Sequence, residues 1–159
     1  MAYVIRATKA PVTSKTMTYL SAHFTLAELT VTDTDEDNTP SAPALKRLTA
    51  TARHMEAVRA LLKKPIIVNS GYRSPAVNKA VGGSATSAHA LGYAVDFVCP
   101  AFGAPITICR AIAASTIAFD QLILERNVWV HISFDPRTRQ QVLTYLGSRY
   151  VSGLATRQA

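Results

Sequence analysis

The chain has 159 residues, 48% of them apolar and 17% charged, which suits one domain with a sizeable core and excludes a disordered chain. No apolar run approaches the ~20 residues that cross a bilayer as a helix. The formal charge of +7 points to an anionic partner surface. Nucleic acid is not expected, because the Lys and Arg are scattered without Arg/aromatic interleaving. Cell-wall polymers or anionic lipid headgroups fit the charge as well. Cys99 and Cys109 sit in apolar settings without C-x-x-C spacing, so they read as small buried hydrophobes, with at most one disulfide and no thiolate metal site.

Residues 1–18 show no period and read as an N-terminal arm. They lack the apolar h-region of a signal peptide, so synthesis in the cytoplasm without a leader is the expectation. Thr25 with Glu28 three residues on predicts a capping box opening a short helix. Asp33, Asp35 and Asp37 alternate in an acidic loop that lacks the Gly and Glu of a calcium loop, so it reads as solvated. Ser41 and Pro43 then lead into Leu45, Leu48, Ala52, Met55, Val58 and Leu62, the stripe of an amphipathic helix that ends before Pro65.

Ile66–Val68 is a β-branched run and predicts a buried strand delivering the turn Asn69–Pro75. A short helix over 76–81 closes at Gly82-Gly83, and Ser84–Ser87 is a loop of small residues. Tyr93–Val98 alternates as a strand, with Ala94 and Asp96 on one face. A helix is predicted over 106–118, then a hairpin from Gln121–Glu125 to Val128–Phe134 with Arg126-Asn127 at its turn. The segment after Tyr150 is small and polar and reads as a fraying tail, giving an arm at 1–18, one domain over 19–150 and a tail over 151–159.

An Asp inside an apolar strand needs a partner, since an unpaired buried carboxylate is costly. His89 lies seven residues before Asp96, with Gly92 between them to allow a close backbone approach. His131 arrives from another strand. Two imidazoles and a carboxylate make a three-ligand zinc set that leaves a fourth tetrahedral position open. Against this stands the simpler reading of a capped carboxylate and two hydrogen-bonded core histidines. Hydrolysis further needs a base and a group to meet developing negative charge. Glu125, at the strand end across the hairpin from His131, is the best base, and Arg73 the best electrophilic partner. An exposed hairpin-end Glu and a loop-capping Arg are the plain alternatives. His23 and His54 have no spaced partner and read as surface or half-buried residues.

Ser70-Gly-Tyr-Arg73-Ser, Ser87-x-His89-x-x-Gly92-x-Ala94-x-Asp96 and Trp129-Val-His131-Ile resemble the zinc D-Ala-D-Ala carboxypeptidase family, the M15 peptidases, and especially its small phage-encoded members. The similarity runs from about Ser21 to Phe134. It implies the α+β fold shared by D,D-peptidases and the hedgehog signalling domain, with helices packed on a small, mainly antiparallel sheet that bears the metal. It also implies one Zn2+ per chain on His89, Asp96 and His131, and cleavage of peptide bonds involving D-amino acids in the peptidoglycan stem or cross-bridge. Arg73 matches the motif Arg that binds and polarises substrate, Ser70 and Ser87 flank the cleft, and Trp129 shapes its wall. Several members carry an acidic residue three positions before the last His, or a His two before it. Here Val128 and Trp129 stand there, and Glu125 takes the role by its place in the hairpin. The implied protein is a monomeric phage or prophage endolysin, made without a signal peptide and reaching the wall after the membrane is permeabilised. Its rivals are a D-Ala-D-Ala carboxypeptidase of wall remodelling and a metal-stabilised wall-binding module that does not cut.

Overall fold

A computed structural model describes residues 16–155; the readings made on residues 1–15 and 156–159 lie outside the described residues. Thr25 caps α1 (Leu26–Leu29), and Glu28 reciprocates as a capping box. Ser41 caps α2 (Ala42–Leu62), whose buried row runs through Leu48, Ala52, Met55, Val58 and Leu62. Lys63 then turns left-handed at φ 54° and ends the helix ahead of Pro65. Further along come β1 (Ile67–Ser70), α3 (Pro75–Ala80), α4 (Ala88–Leu91), β2 (Ala94–Val98) and α5 (Pro105–Ala113). The last strands are β3 (Gln121–Glu125), β4 (Trp129–Ser133), β5 (Gln141–Tyr145) and β6 (Tyr150–Ser152).

The six strands form one sheet in the order β1-β2-β4-β3-β5-β6. Every pairing is antiparallel except β3 with β5, so the architecture is α+β on a mixed sheet. Alternation sorts the sheet into two faces. Val95, Phe97, Leu122, Leu124, Val130 and Ile132 point to one side and pack with the buried rows of α2 and α5. Each fully buried Leu, Ile or Phe there stabilises the fold by ~1.5–3 kcal/mol. The opposite face carries Asp96, His131, Ile123 and Glu125, and among the described residues no long helix packs on it.

Several boundaries differ from expectation. The first strand is shifted to Ile67–Ser70, with an irregularity between Val68 and Ser70 that brings Ser70 opposite Asp96. Helix α5 stops at Ala113 rather than 118, because the Ser115 hydroxyl donates to the Ile112 carbonyl and then accepts from Ile117 N–H. His89 stands on the one-turn helix α4, so one of the three metal candidates lies on a helix and not on the sheet expected to bear the metal. Strand β5 had no counterpart in the sequence reading, and the tail expected to fray after Tyr150 starts as β6, paired to β5 and tied at Ala155 N–H to the Thr144 hydroxyl.

Candidate metal centre

Asp96 sits mid-strand between Val95 and Phe97, both fully buried in the core, so its own side chain must project to the other face. Register places Asp96 directly opposite His131 of β4 on one side and Ser70 of β1 on the other. The Arg126-Asn127 turn, both residues at positive φ (51° and 56°), sets the register of β3 on β4, pairing Glu125 with Trp129 and Ile123 with His131.

His89 reaches the same point from α4. Ser87 caps this short helix through the His89 N–H, and Gly92 ends it at φ 86°. A Cβ on Gly92 would lie 2.9 Å from the Ala44 carbonyl oxygen, so the close approach to α2 requires glycine. The Thr51 hydroxyl donates to the Gly92 carbonyl at 2.8 Å and Arg47 Nε to Leu91 at 2.6 Å, locking α4 onto α2. The His89 ring is aimed by a 2.7 Å contact between Nδ1 and the carbonyl of Gly71. A carbonyl only accepts, so Nδ1 carries the proton and Nε2 presents its lone pair to the centre.

The three donor atoms form a tight triangle: His89 Nε2 to Asp96 Oδ1 3.2 Å, His89 Nε2 to His131 Nδ1 3.2 Å, and His131 Nδ1 to Asp96 Oδ1 2.8 Å. A tetrahedral site with ~2.0–2.1 Å bonds has donor–donor edges of about 3.3 Å, so the triangle is close to one face of such a site. Chemistry supports the fit as well, since two nitrogen lone pairs and a carboxylate oxygen pointing at one spot call for a cation. Burial disfavours the charged form of His89, which stays neutral as a ligand must. Burial alone would raise the Asp96 carboxyl. The two histidine rings packed against it outweigh burial and hold Asp96 far below the usual carboxylate range. Among the described residues this is the group of His, Cys, Asp or Glu arranged to hold a metal ion. The other two histidines are engaged elsewhere, His23 with Glu56 at 2.7 Å and His54 stacked on Phe134 at 4.8 Å.

The triangle lies at the floor of a cleft of about 440 Å³. Arg73, Ser87, Glu125 and Trp129 all line it. Arg73 Nη2 donates to Asp96 Oδ2 at 3.4 Å and Nε to Ser70 Oγ at 3.2 Å, so this guanidinium steadies the free oxygen of the ligand carboxylate while remaining at the cleft wall. Ser70 supports Arg73 from behind and is not part of the wall. Glu125 is half-buried on the same face as His131, and burial raises its carboxyl above the ordinary value, with His131 pulling it down and Asp96 pushing it up. The cleft also takes in Gln121, Arg137 and Tyr150, which the sequence reading missed. Gln121 carried a signal, since it shares the 121, 123, 125 alternation with Glu125. Arg137 and Tyr150 carried none, because they reach the cleft only through the 134–140 crossing and β6.

Comparison with known proteins follows the same residues. A sequence-family model described as Peptidase M15 matches residues 22–133, the segment that carries Arg73, His89, Asp96, Glu125 and His131. A curated relative, the zinc D-Ala-D-Ala carboxypeptidase of Streptomyces albus G, is 39% identical over 77 residues, covering 46% of this chain and 30% of the relative. The chain thus matches less than a third of that relative's length. With the family match spanning well over half of the sequence and all three metal candidates, the chain belongs to the peptidase M15 family.

Proposed function

We propose that the chain is a zinc peptidase that hydrolyses peptide bonds involving D-amino acids in bacterial peptidoglycan, acting as an endopeptidase of the phage endolysin type. The observation that carries this reading is a three-donor face, His89, Asp96 and His131, at the floor of a cleft that also holds a half-buried carboxylate and a guanidinium. The zinc in the name of the Streptomyces relative suits these donors, and the hedgehog-like α+β fold belongs to the same reading.

His89, Asp96 and His131 would hold the ion. When bound, zinc supplies Lewis acidity that polarises a carbonyl and makes water a nucleophile near neutral pH. Glu125 takes the proton from the attacking water and returns it to the leaving amine; its raised affinity for protons suits a group that must do both. Arg73 meets the negative charge that develops on the carbonyl oxygen, or grips a substrate carboxylate. Ser87 and Trp129 bound the space in which the peptide lies.

A purely structural metal calls for a fourth protein ligand, and His23 and His54 are committed to Glu56 and Phe134. That weighs against a wall-binding module. The carboxypeptidase reading is favoured by the relative's own activity and stays as the second one. Digestion of purified sacculi with and without a chelator, read by mass spectrometry, separates them. Severed cross-links or stems that disappear with chelator support the endopeptidase; release of a single terminal Ala makes it a carboxypeptidase. No product from metal-loaded protein overturns both. No described helix is long and apolar enough to cross a membrane, and the charge of +7 favours the anionic wall as the place of action. The protein would act there as a monomer after the membrane has been breached.

A further inference from the structure

The chain from β4 to β5, residues 134–140, crosses the start of β3 and is braced along its length. Asp120, 1% exposed, receives Arg139 through both arms, Nε at 2.9 Å and Nη2 at 2.7 Å, and also the Arg139 N–H at 3.1 Å. Gln140 fixes the crossing by hydrogen-bonding Phe119 N–H and the Ile117 carbonyl. Just before these anchors Thr138 is held at φ 46°, a left-handed conformation that a β-branched residue adopts only when its surroundings impose it. The product of this bracing is the placement of Arg137, which lines the metal cleft.

Arg137 is pre-oriented. Asp135 takes its Nε at 2.8 Å and Nη2 at 3.3 Å, and also accepts from its backbone N–H at 3.0 Å. The guanidinium has five donors in a planar fork, so engaging the Nε side leaves the Nη1 side as a second edge for an anion. The side chain is 60% exposed. Arg73, by contrast, is 19% exposed and already faces Asp96. The cleft thus has one guanidinium beside the metal donors and another fixed on a separate loop, beyond residue 133 where the family match ends.

We propose that Arg137 is a specificity residue that holds a carboxylate side group of the peptide, distinct from the group held by Arg73, so that the preferred substrate is a stem peptide carrying a free side carboxylate near the scissile bond. This rests on the peptidase reading above. The rigid loop lowers the ordering cost of the contact, which is why a solvent-facing arginine there discriminates between substrates.

Two synthetic stem peptides identical except for one side carboxylate, free in one and amidated in the other, test it with zinc-loaded protein. Wild type should show a KM about tenfold lower for the free acid with kcat little changed. Arg137→Gln should erase that difference by raising KM for the acid alone, Arg137→Lys should restore part of it, and Arg110→Gln, an equal loss of charge away from the cleft, should leave it intact. An equal effect of Arg137→Gln on both peptides, or on kcat, overturns the proposal. Failure of wild type to cut either peptide or sacculi would instead overturn the peptidase reading.

Discussion

Gly71→Ala tests whether packing behind the centre sets its affinity for metal. Gly71 runs against α1, its neighbour Tyr72 donating to the Leu29 carbonyl at 2.8 Å. A Cβ on residue 71 would stand 3.0 Å from both the Leu29 carbonyl carbon and its Cα, and nearer still to the oxygen, where ordinary contact begins at 3.4 Å. The two backbones must therefore part by several tenths of an ångström. Overpacking of this kind costs ~1–3 kcal/mol, which for a domain of this size lowers Tm by roughly 2–12 °C. The same movement displaces the Gly71 carbonyl that aims His89 Nδ1 at 2.7 Å. Loss of such an outer contact typically weakens metal binding about 10–100-fold. Thermal melts in chelator give the first quantity, and zinc competition with a chromogenic chelator gives the second. Gly153→Ala is the control: it has φ 79° but open space around its Cβ, so it should lose ~1 kcal/mol from backbone strain and leave zinc affinity unchanged. Wild-type zinc affinity in Gly71→Ala would refute the claim that Leu29 and Gly71 orient the ligand.

Glu125→Gln should bind zinc as wild type does and lose about 10²–10⁴-fold in kcat; unchanged turnover on sacculi assigns the proton transfers to another group. Acid stability should depend on Asp120, whose carboxyl the Arg139 hydrogen bonds hold below the ordinary value of 3.8. A depressed folded value stabilises the protein above pH 3.8 and the benefit vanishes as pH falls through the folded value. Melts of Asp120→Asn from pH 5 to 2 should therefore show a lower Tm at pH 5 and a flatter fall; a parallel pair of curves would contradict the pairing. Burial pushes the Cys109 thiol up to about 12, so a thiol reagent at pH 8 should label it only on unfolding, and rapid labelling of the native protein would place it at the surface.

Of the candidate metal donors, Asp96 was the most legible in the sequence because it breaks a local rule. Asp96 interrupts an apolar alternation, and a carboxylate with Val95 and Phe97 on either side has to find a cation or hydrogen-bond donors. Gly92 was legible for a related reason: a glycine between two candidate ligands announces a backbone that another element touches, here α2 at Ala44. The Arg126-Asn127 turn then fixes which residues face each other across the hairpin, which is how Glu125 could be aligned with the site. The cleft's far wall was hidden because nothing local marks it. Strand β5 joins β3 in parallel after a crossover, and its half-buried Gln141–Tyr145 lacks the clean alternation of a strand with one face in the core. Tyr150 looked like the start of a tail because its partner, Tyr145 at 4.7 Å, lay in that unrecognised strand.

The geometry also explains why the site is joined to the core. Strands β2 and β4 present alternate residues to the core and to the metal, so a shift of one residue in their pairing would bury Asp96 and His131 among Leu122, Val130 and Ile132. Core packing therefore enforces the register that brings Asp96 opposite His131. His89 lies outside that constraint, since it stands on a helix of one turn. It gains its position from Thr51 and Arg47 of α2, from the Ser87 cap and from the Gly71 carbonyl. Of the three donors, His89 is thus the one whose placement depends on hydrogen bonds more than on burial in the sheet. Perturbations along the α1–Gly71–α4 line should affect metal binding first, while perturbations of β2 and β4 should unfold the domain before they release the metal.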